Sequence, residues 1–304
     1  MISVCIPIYN CRVTALLKEL PAVIRASGVK AEIILIDDRS SDEYREYNSQ
    51  ACNEHKYILL EKNIGRSRIR NLFLKYAEYP YLLFLDCDSI ITSPDFLINY
   101  IRELRRTGSP VICGGLTNDT SVPPRKERLR WKYGISREEN PASLRNLDPY
   151  GFFRTNNFIT DRNVLENIGF DERISGYGYE DTLFAYRLKK GGITVMHIDN
   201  PVLHCCRERN REFLDKSKNG VSNLVAIMEY IDYDKEFING IKLLRTHSKL
   251  RQWRLQSVLA LLSGITQPGL KVLLARGFGG LWMLDLYKLG VLLRTGRMKN
   301  NGRR

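Results

Sequence analysis

At 304 residues the chain can build one substantial core with an appendage, or two small domains. Its 43% apolar and 27% charged residues are an ordinary globular composition, with no internal repeat and no low-complexity linker. The net charge of +13 is uneven: from Arg245 to Arg304 there are 12 Lys/Arg and one acid, Asp285, so a basic tail follows a nearly neutral body.

Seven cysteines fall without zinc spacing. Their odd number, and the absence of an export signal in Met1-Ile2-Ser3-Val4, lead us to expect reduced thiols in a cytoplasmic chain, with the vicinal Cys205-Cys206 pair serving ordinary packing. No run reaches 18 uncharged apolar residues, which argues against a spanning helix.

In chain order, Ser3 to Asn10 reads as a strand ending in a polar turn. Arg12 to Arg25 carries the apolar stripe of a helix, with a kink or break expected at Pro21. Glu32 to Ile36 is a buried strand, and Asp37-Asp38-Arg39-Ser40-Ser41-Asp42 supplies caps for a helix from Glu43 to Asn53. A third strand, Lys56 to Leu60, precedes a helix from Ser67 to Tyr79. Tyr81 to Leu85 is a strand buried on both faces, ending in Asp86-Cys87-Asp88. A helix from Asp95 to Gly108 and a short strand from Val111 to Gly115 follow. The polar, basic stretch from Thr117 to Asn146 reads as loop or irregular helix, which implies function or mobility. Gly151 to Thr160 reads as a strand, Arg162 to Ile168 as a short helix, and Ser175-Gly176-Tyr177-Gly178-Tyr179 as a glycine-rich loop before a helix ending at Lys190. Ile193 to Ile198 is the last strand expected in the body. Beyond His204 the chain is helical: Glu208 to Met228, then Leu243 to Ser263 and Lys271 to Thr295, separated by Gly264 to Gly269.

Strands alternating with helices at this rhythm predict a mostly parallel sheet with helices on both faces. Three acidic groups, Asp37/Asp38, Asp86/Asp88 and Glu180/Asp181, follow different strands or turns. In a parallel sheet the first two open on one edge and share a cleft. In extended backbone, residues two apart point the same way, so Asp86 and Asp88 can aim at one Mg²⁺ or Mn²⁺ carrying phosphates; from that motif alone an acidic turn after a strand is the more ordinary reading. Asp38 suits a base or ribose, or caps the next helix. Arg66 and Arg68 at a helix start suit a diphosphate, or are ordinary surface arginines. Gly176 and Gly178 permit close backbone approach to a ligand, and Glu180 or Asp181 can face the cleft as a base. His197 reads as structural; His204, in a loop, can return to the metal.

The chain resembles glycosyltransferase family 2, nucleotide-sugar transferases of the GT-A fold, over residues 1 to 215. The resemblance rests on Val4 to Asn10, Ile36-Asp37-Asp38-Arg39-Ser40, Asn63 to Asn71, Leu85-Asp86-Cys87-Asp88-Ser89 and Gly176 to Asp181, in that order. It implies an α/β architecture: one Rossmann-like, mixed but mostly parallel sheet flanked by helices, with a helical basic extension over residues 216 to 304. By the resemblance, Pro7 and Tyr9 line a nucleotide pocket, Asp38 holds the uracil or ribose side, and Arg66 lies near the base or diphosphate. Asp88 bonds Mn²⁺ or Mg²⁺, Asp86 touches ribose and metal, and His204 stands near metal or phosphate. Asp181 matches the general base of inverting members, with Glu180 as the second choice. Trp131, Asn157, Tyr177 and Gly178 are the expected sugar or acceptor contacts. The implied donor is a nucleotide-sugar, and the acceptor a saccharide or polyprenyl-diphosphate-linked saccharide of surface polysaccharide synthesis. The apolar stretches of the basic tail suit the interface of an anionic membrane on its cytoplasmic side, or alternatively packing on the body or a second subunit. The rival readings are a nucleotidyltransferase with a similar acidic α/β core and a non-enzymatic basic protein. Nucleic acid is not an expected partner, since no interleaved aromatic reading surface accompanies the charge.

Overall fold

Apolar runs buried on both faces set up the sheet. The structure, a computed structural model, describes residues 1–174, 176–205 and 207–301, with side chains described as far as Thr295. Ser175 of the glycine-rich loop, Cys206 of the vicinal pair and the Gly302-Arg303-Arg304 end of the basic tail lie outside the described residues.

The chain begins with β1 (Ile2–Ile8), α1 (Thr14–Ser27), β2 (Ala31–Asp37), α2 (Asp42–Ala51), β3 (Lys56–Leu59), α3 (Arg66–Tyr76), β4 (Tyr81–Leu85), β5 (Ser89–Ile91) and α4 (Phe96–Thr107). It continues through β6 (Val111–Cys113), β7 (Leu116–Asn118), α5 (Arg128–Tyr133), α6 (Ala142–Arg145), β8 (Asn157–Asp161), α7 (Arg162–Asn167), α8 (Glu180–Lys190), β9 (Val195–His197) and β10 (Val202–His204). The remainder is helical: α9 (Asn210–Tyr230), α10 (Lys235–Gly240), α11 (Lys242–Gln252), α12 (Gln256–Ala275) and α13 (Leu281–Asn301).

Seven strands form one sheet in the order β3-β2-β1-β4-β8-β6-β9. Only β8 runs antiparallel to its neighbours, β4 and β6; the other pairings are parallel. On one face, Val4, Ile6, Ile8, Ile33, Leu35, Leu83 and Leu85 pack with Leu16, Leu20 and Tyr100. On the other, Cys5, Ile34, Ile36, Leu82 and Phe84 pack with Phe73, Phe158 and Phe184. Phe84 stacks on Phe158 across the antiparallel pair at 5.0 Å between ring centroids.

Several expected elements come out differently. The sheet is not single: β5, β10 and β7 form a second, three-stranded sheet. β10 falls where a loop was expected, because three residues after Pro201 are too few to show a period. Pro21 does not interrupt α1. A proline inside a helix costs about 3 kcal/mol, but burial of Leu16, Leu17, Leu20 and Val23 at about 1.5–3 kcal/mol each outweighs it. The strand expected from Gly151 is only Asn157–Asp161, preceded by a turn held by Asp148, whose Oδ1 accepts from Gly151 N at 3.1 Å. Gly264 to Gly269 is no break either; α12 runs through it with Pro268 inside, and the chain turns instead between Arg276 and Gly280.

Contacts divide the chain into two compact units. The first comprises Met1–Asp119, Arg137–Ser175 and Glu180–Cys206, and holds both sheets. The second comprises Thr120–Ser136, Gly176–Tyr179 and Arg207–Arg304. In it, buried Asn210 donates from Nδ2 to Arg125 O at 3.0 Å and accepts from Leu129 N at 2.8 Å. Arg125 also lies over the Phe278 ring, 3.7 Å from its centroid. α9 is continuous through residues 215 and 216. The stretch expected as loop or irregular helix from Thr117 to Asn146 contains the short helices α5 and α6.

Candidate active site

β2 and β4 flank β1 and run parallel to it, so the loops leaving all three carboxyl ends lie side by side. Strand order reverses at β1, the place where open α/β sheets take ligands. The loops after β1 and β2 are tied together: Asn10 N donates to Ser40 Oγ and Ser41 N to Asn10 Oδ1, both at 2.8 Å. Pro7 is half-buried in β1, and Tyr9 just beyond it is 55% exposed, an open aromatic ring at this edge.

The two acids after β2 hold backbone. Asp37 Oδ1 accepts from Ser40 N at 2.7 Å and its Oδ2 from the Tyr57 hydroxyl at 3.0 Å. Asp38 Oδ1 and Oδ2 accept from Ile64 N at 2.6 Å and Gly65 N at 2.9 Å. Neither caps α2, and the buried Asp38 carboxylate is engaged by the loop that opens α3 rather than facing outward. Burial pushes the Asp38 carboxyl up, against the pull of the Ile64 and Gly65 N–H groups, with the charge of Asp37 adding to the rise. What Asp38 does in this arrangement is fix where α3 begins, and hence where Arg66 and Arg70 stand.

Asp86-Cys87-Asp88 is not extended. Ser89 N closes a turn onto Asp86 O at 3.1 Å, and the two carboxylates meet different partners while still feeling each other's charge. Asp86 Oδ1 meets Arg70 Nη2 at 3.3 Å. Asp88 Oδ2 lies 3.2 Å from His204 Nε2, because β10 pairs antiparallel with β5 and brings His204 opposite Ser89. Burial pushes the Asp86 carboxyl up; Arg70 opposes this and Asp88 reinforces it. At Asp88 burial also pushes upward, but the His204 hydrogen bond and charge outweigh it and leave the carboxyl below its ordinary range.

α8 adds the third acidic pair. Glu180 is buried and pairs with Arg66 Nη1 at 3.3 Å. Asp181 accepts from Thr182 N at 2.7 Å and lies 4.0 Å from Arg154 Nε. Burial pushes the Asp181 carboxyl up, against Arg154 and with the charge of Glu180. The result is a carboxylate with a raised proton affinity at a helix start, as a general base requires.

The residue that joins these groups carried no assignment in the sequence. Arg70, 2% exposed, donates from Nη1 to Arg66 O at 3.2 Å, reaches Asp86 through Nη2, and feels the charges of Glu180 and Asp181. Its Nε has no hydrogen-bond partner among the described residues. Its spacing of four from Arg66 was a readable signal, since positions i and i+4 share a helix face. Arg154 had no such signal.

Other expected contacts are placed elsewhere. Asn157, 1% exposed, accepts from the Tyr100 hydroxyl at 2.6 Å and donates to Gly115 O at 2.8 Å and Asn200 O at 2.9 Å, so its amide belongs to the interior rather than to a sugar. Trp131, Tyr177 and Gly178 belong to the second unit. The close approach that Gly178 permits is to protein: with φ +101°, a Cβ there would stand 3.0 Å from Gly220 Cα. Asn223 Nδ2 donates to Tyr177 O and Gly178 O at 3.2 and 3.3 Å. Gly178→Ala is expected to lower stability by about 1–3 kcal/mol, read as the shift in a urea unfolding midpoint. His197 is structural: Nε2 donates to Pro149 O at 2.8 Å, leaving Nδ1 to accept from Arg145 at 2.7 Å. Burial holds its pKa down to about 4.

A divalent cation fits part of this set. Asp88 and His204 offer an anionic oxygen and an imidazole nitrogen side by side, donors that suit Mn²⁺ well and Mg²⁺ through the carboxylate. Among the described residues no group of three His, Cys, Asp or Glu stands together as a metal cage. Such ions are commonly held by one or two carboxylates together with substrate phosphates, and the pair at Asp88 matches that pattern.

Residues 3–169 match the family model described as "Glycosyl transferase family 2". The poly-beta-1,6-N-acetyl-D-glucosamine synthase of Staphylococcus epidermidis is 29% identical over 107 residues, 34% of this chain and 26% of that protein. The hyaluronan synthase of Pasteurella multocida is 26% identical over 204 residues, 55% of this chain and 20% of that one. The chain thus spans about a quarter of the length of the curated relatives it matches. Among solved structures, the mannosyltransferase PcManGT from Pyrobaculum calidifontis, in complex with GDP-Man and Mn2+, matches with a TM-score of 0.59 at 15% identity, covering 100% of this chain and 87% of that one. S. aureus TarS 1-349 in complex with UDP-GlcNAc matches with a TM-score of 0.50 at 16% identity, covering 99% and 92%. At these identities the structural likeness establishes the fold, a GT-A arrangement.

Proposed function

The chain belongs to glycosyl transferase family 2, and from that premise we propose that it transfers a sugar, with inversion, from a nucleoside-diphosphate donor to a hydroxyl of a saccharide or polyprenyl-diphosphate-linked saccharide. One observation carries the reading: the first two turns of α3 place Arg66 and Arg70 between the acids after β4 and the acids opening α8. Cations set between two carboxylate groups divide the site into a side for the diphosphate and a side for the acceptor.

Asp181 takes the proton from the acceptor hydroxyl, and the oxygen forms a bond to the anomeric carbon. The bond from that carbon to the diphosphate breaks on the opposite face, and the nucleoside diphosphate leaves with the electron pair. Glu180 holds Arg66 in place for the departing charge. Asp88 and His204 would hold Mn²⁺ or Mg²⁺, which supplies positive charge against the diphosphate oxygens when bound. Tyr9 offers its exposed ring to the base. A UDP-sugar donor is supported by the TarS complex with UDP-GlcNAc and by a relative named for poly-N-acetylglucosamine synthesis. The Mn2+ in the PcManGT complex supports the metal.

Calorimetric titration of UDP with and without Mn²⁺ tests this reading. The intact protein is expected to bind UDP in a manganese-dependent way, and Asp88→Ala to weaken that binding by about tenfold or more. UDP binding that ignores both manganese and the substitution would remove the assignment of the Asp88 side to the donor. GDP titrated alongside decides the base.

A further inference from the structure

α12 wears its polarity inside out. Its buried residues, Ala260, Gln267 and Leu274, recur every seven positions and form one seam. The polar member of that seam, Gln267, is 4% exposed. It donates from Nε2 to Tyr287 O of α13 at 2.8 Å and accepts from Arg294. Gly290 makes room for it, since a Cβ there would stand 2.4 Å from Gln267 Nε2. On the opposite face Val258, Leu261, Leu262, Ile265, Val272 and Leu273 follow the three- and four-residue spacing of a helix stripe, and all are exposed, Leu261 at 65% and Ile265 at 73%. A helix folded for water on its outer side would have the reverse arrangement. An exposed apolar stripe of this length marks a surface with a partner.

The flanks indicate which partner. Lys242, Arg245, Lys249, Arg251 and Arg254 precede the stripe and Arg276 closes it; all six are exposed. Between Ile241 and Leu284 the chain has no Asp or Glu. Trp253 and Trp282, each 65% exposed, stand before and after the helix. Apolar stripe, cations and exposed indoles together match a surface with an anionic polar layer over a hydrocarbon one. A second copy fits less well, because an isologous contact would bring the same cations toward each other without a carboxylate to meet them.

We propose that the outward face of α12 docks in the plane of an anionic lipid surface, with its flanking lysines and arginines on the headgroups. By length and composition α12 is also apolar enough to cross a membrane. The in-plane placement follows from its seam, buried at Ala260, Gln267 and Leu274 and held to α13 by Gln267, and from Lys271, paired with Asp215 of α9 at 2.6 Å. The helix gives lipid one face, not its whole circumference.

The test is co-sedimentation of the full chain with vesicles of phosphatidylcholine alone or with one part in three phosphatidylglycerol. Each cation near an anionic surface strengthens binding about fivefold, so a preference of at least about tenfold for the anionic vesicles is expected, and it falls in high salt. Leu261→Glu with Ile265→Glu is expected to remove sedimentation while UDP binding stays unchanged, since both side chains are exposed in the folded chain. Alkaline carbonate is expected to release the bound protein. Equal binding to both vesicles, undiminished binding by the double variant, or retention in carbonate would each overturn the proposal. So would absent vesicle binding with a solution dimer that the double variant splits, which would assign the face to a second copy. UDP titration on the same preparations reports on the acidic site alone, so either reading can fail without the other.

Discussion

Asp181→Asn is expected to lower the turnover of sugar transfer by about 10²–10⁴-fold, the usual contribution of a general base, while leaving UDP affinity close to that of the unaltered protein. The substitution keeps the side chain's size and an oxygen able to accept from Thr182 N, so the start of α8 should survive. The pH profile gives an independent check. A base works only when deprotonated, and burial, with the charge of Glu180, raises the Asp181 pKa despite Arg154. Activity should therefore fall on the acid side, with a midpoint above the ordinary carboxylate range, and hold as pH rises. Replacing Arg154 by Met removes the opposing cation and should move that midpoint higher still. If Asp181→Asn loses less than threefold, the base lies elsewhere, and the same assay on Glu180→Gln tests the neighbouring acid.

Arg70→Met should cost about 3 kcal/mol of stability, seen as a lower midpoint in urea with little change in slope. Arg70 is interior, and its guanidinium pairs with Asp86 at 3.3 Å. Removing it leaves that carboxylate facing Asp88 with its main compensating charge gone. Arg70→Lys should recover only part of the loss, because one ammonium cannot span both Arg66 O and Asp86 Oδ1. Combining Arg70→Met with Asp86→Asn should restore stability relative to Arg70→Met alone, since the uncompensated charge is then absent. An unshifted midpoint in Arg70→Met would mean that the pair contributes nothing to holding the turn.

The long elements were readable because their physics is local. β1, β2 and β4 show as apolar runs, and α1 as a stripe, since burial on two faces or one fixes which residue types stand there. The carboxyl-end position of Asp38 and Asp86 followed from the strand and helix rhythm. What each acid touches did not. The turn at Cys87 gives Asp86 and Asp88 different partners, and no spacing in Asp86-Cys87-Asp88 reports whether its backbone is extended or turned. Asp38 looks from sequence like a ligand or a cap; it is the fold, bringing Ile64 and Gly65 N–H groups onto it, that commits the carboxylate. Gly178 showed a need for close approach without showing to what, and the neighbour is Gly220. β10 is three residues long, and its pairing with β5 connects positions more than a hundred residues apart. Such contacts leave no periodic trace.

The antiparallel strand β8 also bears on how the growing chain can close its sheet. It supplies the inner partner of both β4 and β6, so neither can complete its hydrogen bonding until Asp161 has been made. On a ribosome adding about 5–20 residues per second, the stretch from Leu85 to Asp161 takes about 4–15 s. During that interval β1, β2 and β4 can pair with one another, but the far side of β4 is an open edge of apolar residues. That edge is where a growing chain would first adhere to another or be held by a chaperone. Closing it brings together segments more than seventy residues apart in sequence, a contact that topology rather than local propensity supplies.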